Sequence, residues 1–233
     1  MINLTKDERA FYKKMLSNTS KLGCKSISLN AKKCITGSIL SKKEGSVCYK
    51  CYALTGCYQF PVVQDAMARR MEFFNSPNFI PIMVWLLSSL RKKKFRWFDS
   101  GDVQSVLMAL NILEVCKLTP DIKHWIPSKE YKIWRDVLKI EKLPSNVCLR
   151  MSSPNIDQEP LKGFNNTSTV HENKKAFGLE CKAYRTLKNG NMLSLKEFTN
   201  LDHNNPLIKQ LGNCGNCKAC YDTTVKNISY PKH

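Results

Sequence analysis

Three short stretches of this chain end an apolar run in carboxylates, cations and hydroxyls. In Phe95–Gln104 an aromatic run halts at Asp99-Ser100-Gly101-Asp102, and the apolar spacing turns helical from Val103. That pattern reads as a strand, a tight polar turn and a helix. Pro127-Ser128-Lys129-Glu130 follows an apolar run at Ile122–Ile126, and Val147–Met151 leads through Arg150 into Ser152-Ser153-Pro154. Carboxylates beside cations suit general acid–base or nucleophilic chemistry, because each pKa is tuned by its neighbours. Asp99, Asp102 and Glu130 are therefore the candidate catalytic groups. Ser100, Gly101, Gln104, Lys129, Arg150 and Ser152 are the candidate substrate contacts. Taken singly, Asp99, Asp102 or Ser128 is as well explained as a helix cap; three successive polar strand ends favour function.

The eleven cysteines form a second set of candidates. An odd number argues against full pairing in disulfides, and clustered thiols in a reducing compartment point to metal. Cys214-Gly-Asn-Cys217-Lys-Ala-Cys220 is a Cys-x2-Cys-x2-Cys run with Cys181 upstream as a fourth thiolate. Such a run holds an iron–sulfur cluster, and four thiolates also make a closed zinc site; the spacing leaves the two undecided. Cys48 and Cys51 are half of another site that Cys34 and either Cys57 or Cys24 would complete. The bland alternative is buried thiols acting as small hydrophobes. The Cys-x3-Cys-x2-Cys spacing usual in radical S-adenosylmethionine enzymes is absent. Cys116 and Cys148 fall on an expected helix and strand and read as core. A lone histidine such as His171 is more often structural than a ligand.

The elements that must carry these residues alternate. Strands at Phe95–Asp99, Ile122–Ile126 and Val147–Met151 are separated by helices at Val103–Lys117 and Tyr131–Ile140, with Pro120, Pro144 and Pro154 as breaks. This alternation predicts βαβ units and a parallel sheet, with all three strand ends on one rim. The fold class is α/β: a partial or compact TIM-like β/α barrel with cysteine-rich metal-binding segments. One domain is expected, with a cysteine-rich segment over 1–60, the β/α core over 61–155 and a loop-rich segment with the cysteine motif over 156–233. Two further helices, Val62–Phe74 and Ile80–Lys92, put Arg69 and Arg70 on a solvated face and Arg91-Lys92-Lys93-Lys94 at a helix end. Ser26–Leu29 and Ser168–His171 are further strand candidates.

A balance of 37 Lys+Arg against 19 Asp+Glu gives a formal charge of +18. Such a surface attracts polyanions, and nucleic acid is the expected partner, DNA ahead of RNA. The longest apolar run, Phe79–Leu87, is far short of the roughly 20 residues that span a bilayer. The charged start Met1–Lys14 has no signal-peptide core, so no membrane partner and a cytoplasmic location are expected.

The Cys34 and Cys48–Ala53 block, Trp97–Gln104, Trp125–Tyr131, Arg150–Pro154 and Cys217–Cys220 together resemble the phage "gene product 88" family, which implies a place in the infected host cell. More distantly, Asp99-Ser100-Gly101 with Gln104 is similar to the Asp-Ser-Gly-Gly-Phe-Gln loop of tRNA-guanine transglycosylases. Those are TIM-barrel enzymes with a cysteine-rich metal site, and phage relatives insert 7-deazaguanines into DNA. That resemblance implies a base-exchange transglycosylase acting on DNA guanine with a small deazapurine base. Asp99 would be its nucleophile, partnered by Asp102 or Glu130. This chain departs from it in length, in Asp102 at the second Gly position and in its metal spacing. Two other readings stand beside it: iron–sulfur (radical) chemistry on a nucleic acid or nucleotide, and a non-catalytic basic DNA-binding protein with structural metal.

Overall fold

Alternation along the strands decides which side chains meet the helices. In Lys94–Trp97 (β3), Phe95 and Trp97 are fully buried among helices, while Lys94 and Arg96 point the other way. In Lys123–Ser128 (β4) and Val147–Ile156 (β5), Ile126, Val147, Leu149 and Met151 join that same core. Trp125, Cys148 and Arg150 fall on the opposite face, as the period of two demands.

The structure, a computed structural model describing residues 2–202 and 205–232, gathers these strands into one eight-stranded sheet. The remaining strands are Ser17–Asn18 (β1), Lys25–Ile27 (β2), Thr167–His171 (β6), Leu179–Glu180 (β7) and Asn227–Pro231 (β8). Their order is β1-β2-β3-β4-β5-β6-β8-β7; β1 is antiparallel to β2 and every other pair is parallel. The expected β/α alternation and parallel sheet are present, and the two further strand candidates match β2 and β6. Ring closure is not seen: β1 and β7 each pair with a single strand among the described residues.

The helices are Lys6–Lys13 (α1), Ile35–Leu40 (α2), Pro61–Phe74 (α3), Phe79–Ser88 (α4), Val106–Leu118 (α5), Tyr131–Ile140 (α6) and Leu195–Thr199 (α7). Sequential parallel strands with right-handed crossovers put their connecting helices on one side. Accordingly Phe73 and Phe74 of α3, Ile82 and Leu86 of α4, Ile112 of α5 and Trp134 of α6 share one core with Phe95 and Trp97. His124, wholly buried, accepts from Trp97 Nε1 at 3.2 Å and meets Thr119 Oγ1 at 3.0 Å, tying β4 to β3.

Several boundaries differ from expectation. Helix α4 stops at Ser88, where Ser89 Oγ turns back onto the Leu86 carbonyl; the basic run therefore leads into β3 instead of closing the helix. Helix α5 starts at Val106 with Ser105 as its cap, so neither Asp99 nor Asp102 caps it. Strand β5 continues through Pro154 to Ile156 with a register shift after Ser152. A proline is tolerated at such an irregularity, where no ladder N–H is needed.

Arg70 also departs from expectation. It is buried, and its guanidinium bonds the Met15 carbonyl at 2.9 Å, Ser28 Oγ at 2.7 Å and Ser17 Oγ at 2.9 Å, fastening α3 to the first two strands. Arg70→Ala leaves those acceptors without donors and should cost about 2–4 kcal/mol in chemical denaturation. Exposed Arg69→Ala should stay within about 0.5 kcal/mol.

Candidate functional site

The strand carboxyl ends are tied to one another by the polar residues expected there. Phe98 takes a left-handed φ of 55° and ends β3, so that the chain folds back over β2. Leu29 N donates to the Ser100 carbonyl at 2.9 Å, and Ser100 Oγ donates to the Leu29 carbonyl at 3.0 Å. Asp102 Oδ1 accepts from Val103 N at 2.8 Å and Ser128 Oγ at 2.7 Å, while Oδ2 accepts from Lys129 N at 2.7 Å. Glu130 accepts from Thr36 through the backbone N at 2.9 Å and Oγ1 at 2.7 Å. The three segments 29–36, 100–103 and 128–130 thus form one circuit.

This circuit assigns fold duties to several candidate site residues. Ser100, Asp102 and Glu130 are buried with their side-chain oxygens engaged, and Gly101 packs onto the Leu29 backbone. Burial drives the Asp102 carboxyl from 3.8 up to about 7, against the pull of its three donors. Arg150, expected at the rim, is instead wholly buried on the sheet's second face, its guanidinium bonded to backbone carbonyls. Ser152 Oγ lies 2.9 Å from Ser168 Oγ. His171 Nδ1 lies 2.7 Å from Ser229 Oγ and serves the β6–β8 pair.

Asp99 is different. Half-buried, it receives Ser26 Oγ on Oδ1 at 3.1 Å, and its carbonyl receives Tyr52 OH at 2.7 Å. Arg96, Tyr52 and Tyr58 share its electrostatic surroundings. Arg96 stacks on Trp125, 4.7 Å from the ring centre. Arg96 Nε, Trp125 Nε1 and Gln104 Nε2 are buried without an acceptor. Buried donors of this kind need an explanation, and an incoming ligand is one. Ser26, Arg96, Trp125 and Cys148 lie in one register row across β2 to β5.

The cysteines separate into two groups. Cys34 precedes α2, and its Sγ and that of Cys48 lie 3.5 and 3.9 Å from where a Gly37 Cβ would stand. Lys50, at φ 53°, turns Cys51 back so that its N–H bonds the Cys48 carbonyl at 3.1 Å. The loop is seated on the unexpected extension of β5: Val47 N donates to the Pro154 carbonyl at 2.8 Å and Ile156 N to Gly45 at 2.9 Å. Burial, then Asp102, Glu130, Cys48 and Cys51, push the Cys34 thiol up to about 12. These three thiols therefore belong to the rim. Cys57 is exposed and is not among the leading charges that Cys34 or Cys48 feels.

Cys181, Cys214, Cys217 and Cys220 form the second group. Burial, followed by the other three thiols and Cys24, pushes Cys214 up to about 12. Cys24, weighed above for the first group, stands at the start of β2 with its Sγ 3.1 Å from Tyr221 OH. Cys116 and Cys148 are buried core residues, as expected.

Among the described residues no three His, Cys, Asp or Glu side chains are gathered tightly enough to hold a metal ion. Around a zinc ion the sulfurs stand about 2.3 Å from the metal, hence only ~3.8 Å apart. In an iron–sulfur cube each thiolate binds its own iron and the sulfurs stand wider. A cluster therefore asks less convergence of its thiols than a single ion does.

A family model described as gene product 88 matches residues 3–223. The chain belongs to the gene product 88 family. No curated protein and no solved structure matches it. No helix of the chain, among the described residues, is long and apolar enough to cross a membrane. Its sequence gave no warning of Arg96 and Trp125, because a strand's alternation says which face a residue takes and not what remains unpartnered there. Nor did it single out the cleft of about 600 Å³ where Lys13, Lys25, Arg91 and Lys92 collect.

Proposed function

We propose that the rim is the active site of an iron–sulfur enzyme that uses S-adenosylmethionine to modify a nucleic acid or nucleotide. One observation carries this reading: Cys34, far from the Cys48/Cys51 pair in sequence, is folded back beside it at the carboxyl ends of parallel strands. Ligand sites of parallel α/β sheets lie there. The sequential strand order, with helices on one side, supports a partial β/α barrel whose second face encloses the substrate.

Cys34, Cys48 and Cys51 would hold three irons of a cube and leave the fourth open to a ligand. A cluster held there would supply a one-electron reductant for a sulfonium ligand, the electron coming from an external donor. Asp99 is the carboxylate left to receive an N–H of substrate or cosubstrate. Arg96, Trp125 and Gln104 offer donors to an acceptor-rich heterocycle or phosphate. The charge of +18 and the Lys13–Lys92 cleft favour a polyanionic partner, DNA ahead of RNA.

The test is anaerobic reconstitution with iron and sulfide, then incubation with S-adenosylmethionine and dithionite. Release of 5′-deoxyadenosine and methionine is expected, at least 100-fold lower for Cys34→Ser. A cluster-loaded protein that releases neither overturns the reading.

Base exchange of DNA guanine for a 7-deazaguanine remains a second reading, favoured by Asp99, whose Oδ2 has no protein donor among the described residues. It predicts incorporation of labelled deazaguanine into duplex DNA by protein lacking rim iron, abolished in Asp99→Ala. Absence of label from folded protein removes it.

A further inference from the structure

The second group of cysteines does not face the rim. Residues 214–222 lie across the second face of the sheet, where the turn Ala219–Tyr221 packs on β4 and β5. Cys214 N bonds the Lys21 carbonyl at 3.0 Å, and Cys217 N bonds the Cys214 carbonyl at 2.9 Å. Gly215, at φ 50° and bonded to Asn213 Oδ1 at 2.7 Å, makes the tight turn that this spacing needs. Cys181 is fixed independently, by its N–H to the Ser229 carbonyl at 2.8 Å on β8. Cys181 and Cys220 thus meet neighbouring residues of β8, the Ser229 carbonyl and the Tyr230 hydroxyl, and Cys214 and Cys217 stand in the turn that leads to Cys220.

Beneath them sits an unusual charge. Arg150 is 0% exposed. It donates to the carbonyls of Cys220 at 3.3 Å, Thr167 at 3.3 Å, and Ala219 and Asp222 at 2.8 Å each. Every acceptor is neutral, and no carboxylate forms an ion pair with Arg150 among the described residues. The Asp222 carboxylate nearby is bonded to Thr224 instead. A guanidinium buried without a counter-ion is expensive. A thiolate-bound cluster is a net anion, and here it would stand against the very loop that Arg150 holds.

We infer that Cys181, Cys214, Cys217 and Cys220 bind a second iron–sulfur cluster on the sheet's second face, with buried Arg150 as its counter-charge. All four positions are protein ligands, so this centre carries electrons or braces the fold and has no open iron for a ligand. Cys220 Sγ lies 3.4 Å from Tyr230 OH, a hydrogen bond to sulfur of the kind that raises a cluster's potential. Arg150 acts on the same property through charge. The inference is independent of the rim reading, since it uses none of the rim thiols.

Iron and sulfide counts after anaerobic reconstitution test it. The intact protein should hold about eight of each if both centres are cubes, and Cys34→Ser/Cys48→Ser/Cys51→Ser about four. Cys214→Ser/Cys217→Ser/Cys220→Ser should lose about four irons whatever the rim holds. A rim variant that retains no iron, or one zinc without sulfide, overturns the cluster; so does a terminal triple variant with an unchanged count.

Redox titration of the rim variant tests Arg150. Arg150→Gln should move the midpoint potential lower, and Arg150→Lys should restore most of the shift. Tyr230→Phe, which leaves the buried cation in place, should also lower it at an unchanged iron count. An unmoved potential in Arg150→Gln refutes the counter-charge, and one in Tyr230→Phe refutes Cys220 as a ligand.

Discussion

Gly101→Ala should destabilise the protein by about 3–5 kcal/mol, the largest effect of any single methyl group in the rim. Gly101 sits at φ 74°, where a side chain is strained, and a Cβ there would stand 2.5 Å from the Leu29 carbonyl oxygen and 2.7 Å from its carbon. Both neighbours are backbone and cannot rotate away. Relief would require parting the two hydrogen bonds that join Ser100 to Leu29, and with them the end of β3 from the end of β2. Gly56 provides the control: its φ is 55°, but nothing lies within 4 Å of its Cβ position. Gly56→Ala should cost only the left-handed penalty of about 1 kcal/mol. Urea denaturation of both variants measures the difference, and equal losses would mean that the two rim loops do not touch.

The second large effect is a pH dependence at Asp102. Its folded-state pKa lies near 7 against an ordinary 3.8, raised first by burial and further by the neighbouring Glu130. Between those values the folded protein retains a proton that the unfolded chain has lost, so stability falls as pH rises through this window. The contribution approaches about 4 kcal/mol. Asp102→Asn keeps an acceptor for Val103 N and Ser128 Oγ but turns an NH2 toward the Lys129 N–H. The variant should therefore carry a fixed penalty with no titration. The stability gap between wild type and variant should narrow by about 4 kcal/mol from pH 4 to pH 7.5. A gap constant to about 1 kcal/mol would contradict the description of Asp102 as a buried, disfavoured anion.

How much of this was legible in the sequence depends on how local the cause is. The alternation of Phe95 and Trp97, and the breaks at Pro120 and Pro144, come from neighbours along the chain, and the central strands and their helices follow. Arg150 could not be read the same way: as a cation at a strand end it looked like a substrate contact, and only the packing of residues 219–222 onto β5 shows where its donors go. Pro154 misled for a related reason, since a proline ends a ladder only where its missing N–H matters. Cys34 was recognised as a possible ligand, but its place beside Cys48 depends on α2 and on the seat that β5 provides. Asp102 and Glu130 show the general difficulty, for a carboxylate that fastens loops and one that does chemistry are spelled alike.

The strand order carries one more consequence, for the sequence of events in folding. β8 follows β7 along the chain yet lies between β6 and β7. β7 therefore has no partner until β8 arrives, and β8 joins β6 across a separation of 60 residues, as between Thr167 and Asn227. Closing so wide a loop is slow relative to zipping neighbouring βα units. β2 to β6 can assemble first as an unfinished sheet. The insertion of β8 then becomes the late step that recruits β7, fixes Cys181 through Ser229, and leaves an exposed, aggregation-prone edge on β6 until it is complete.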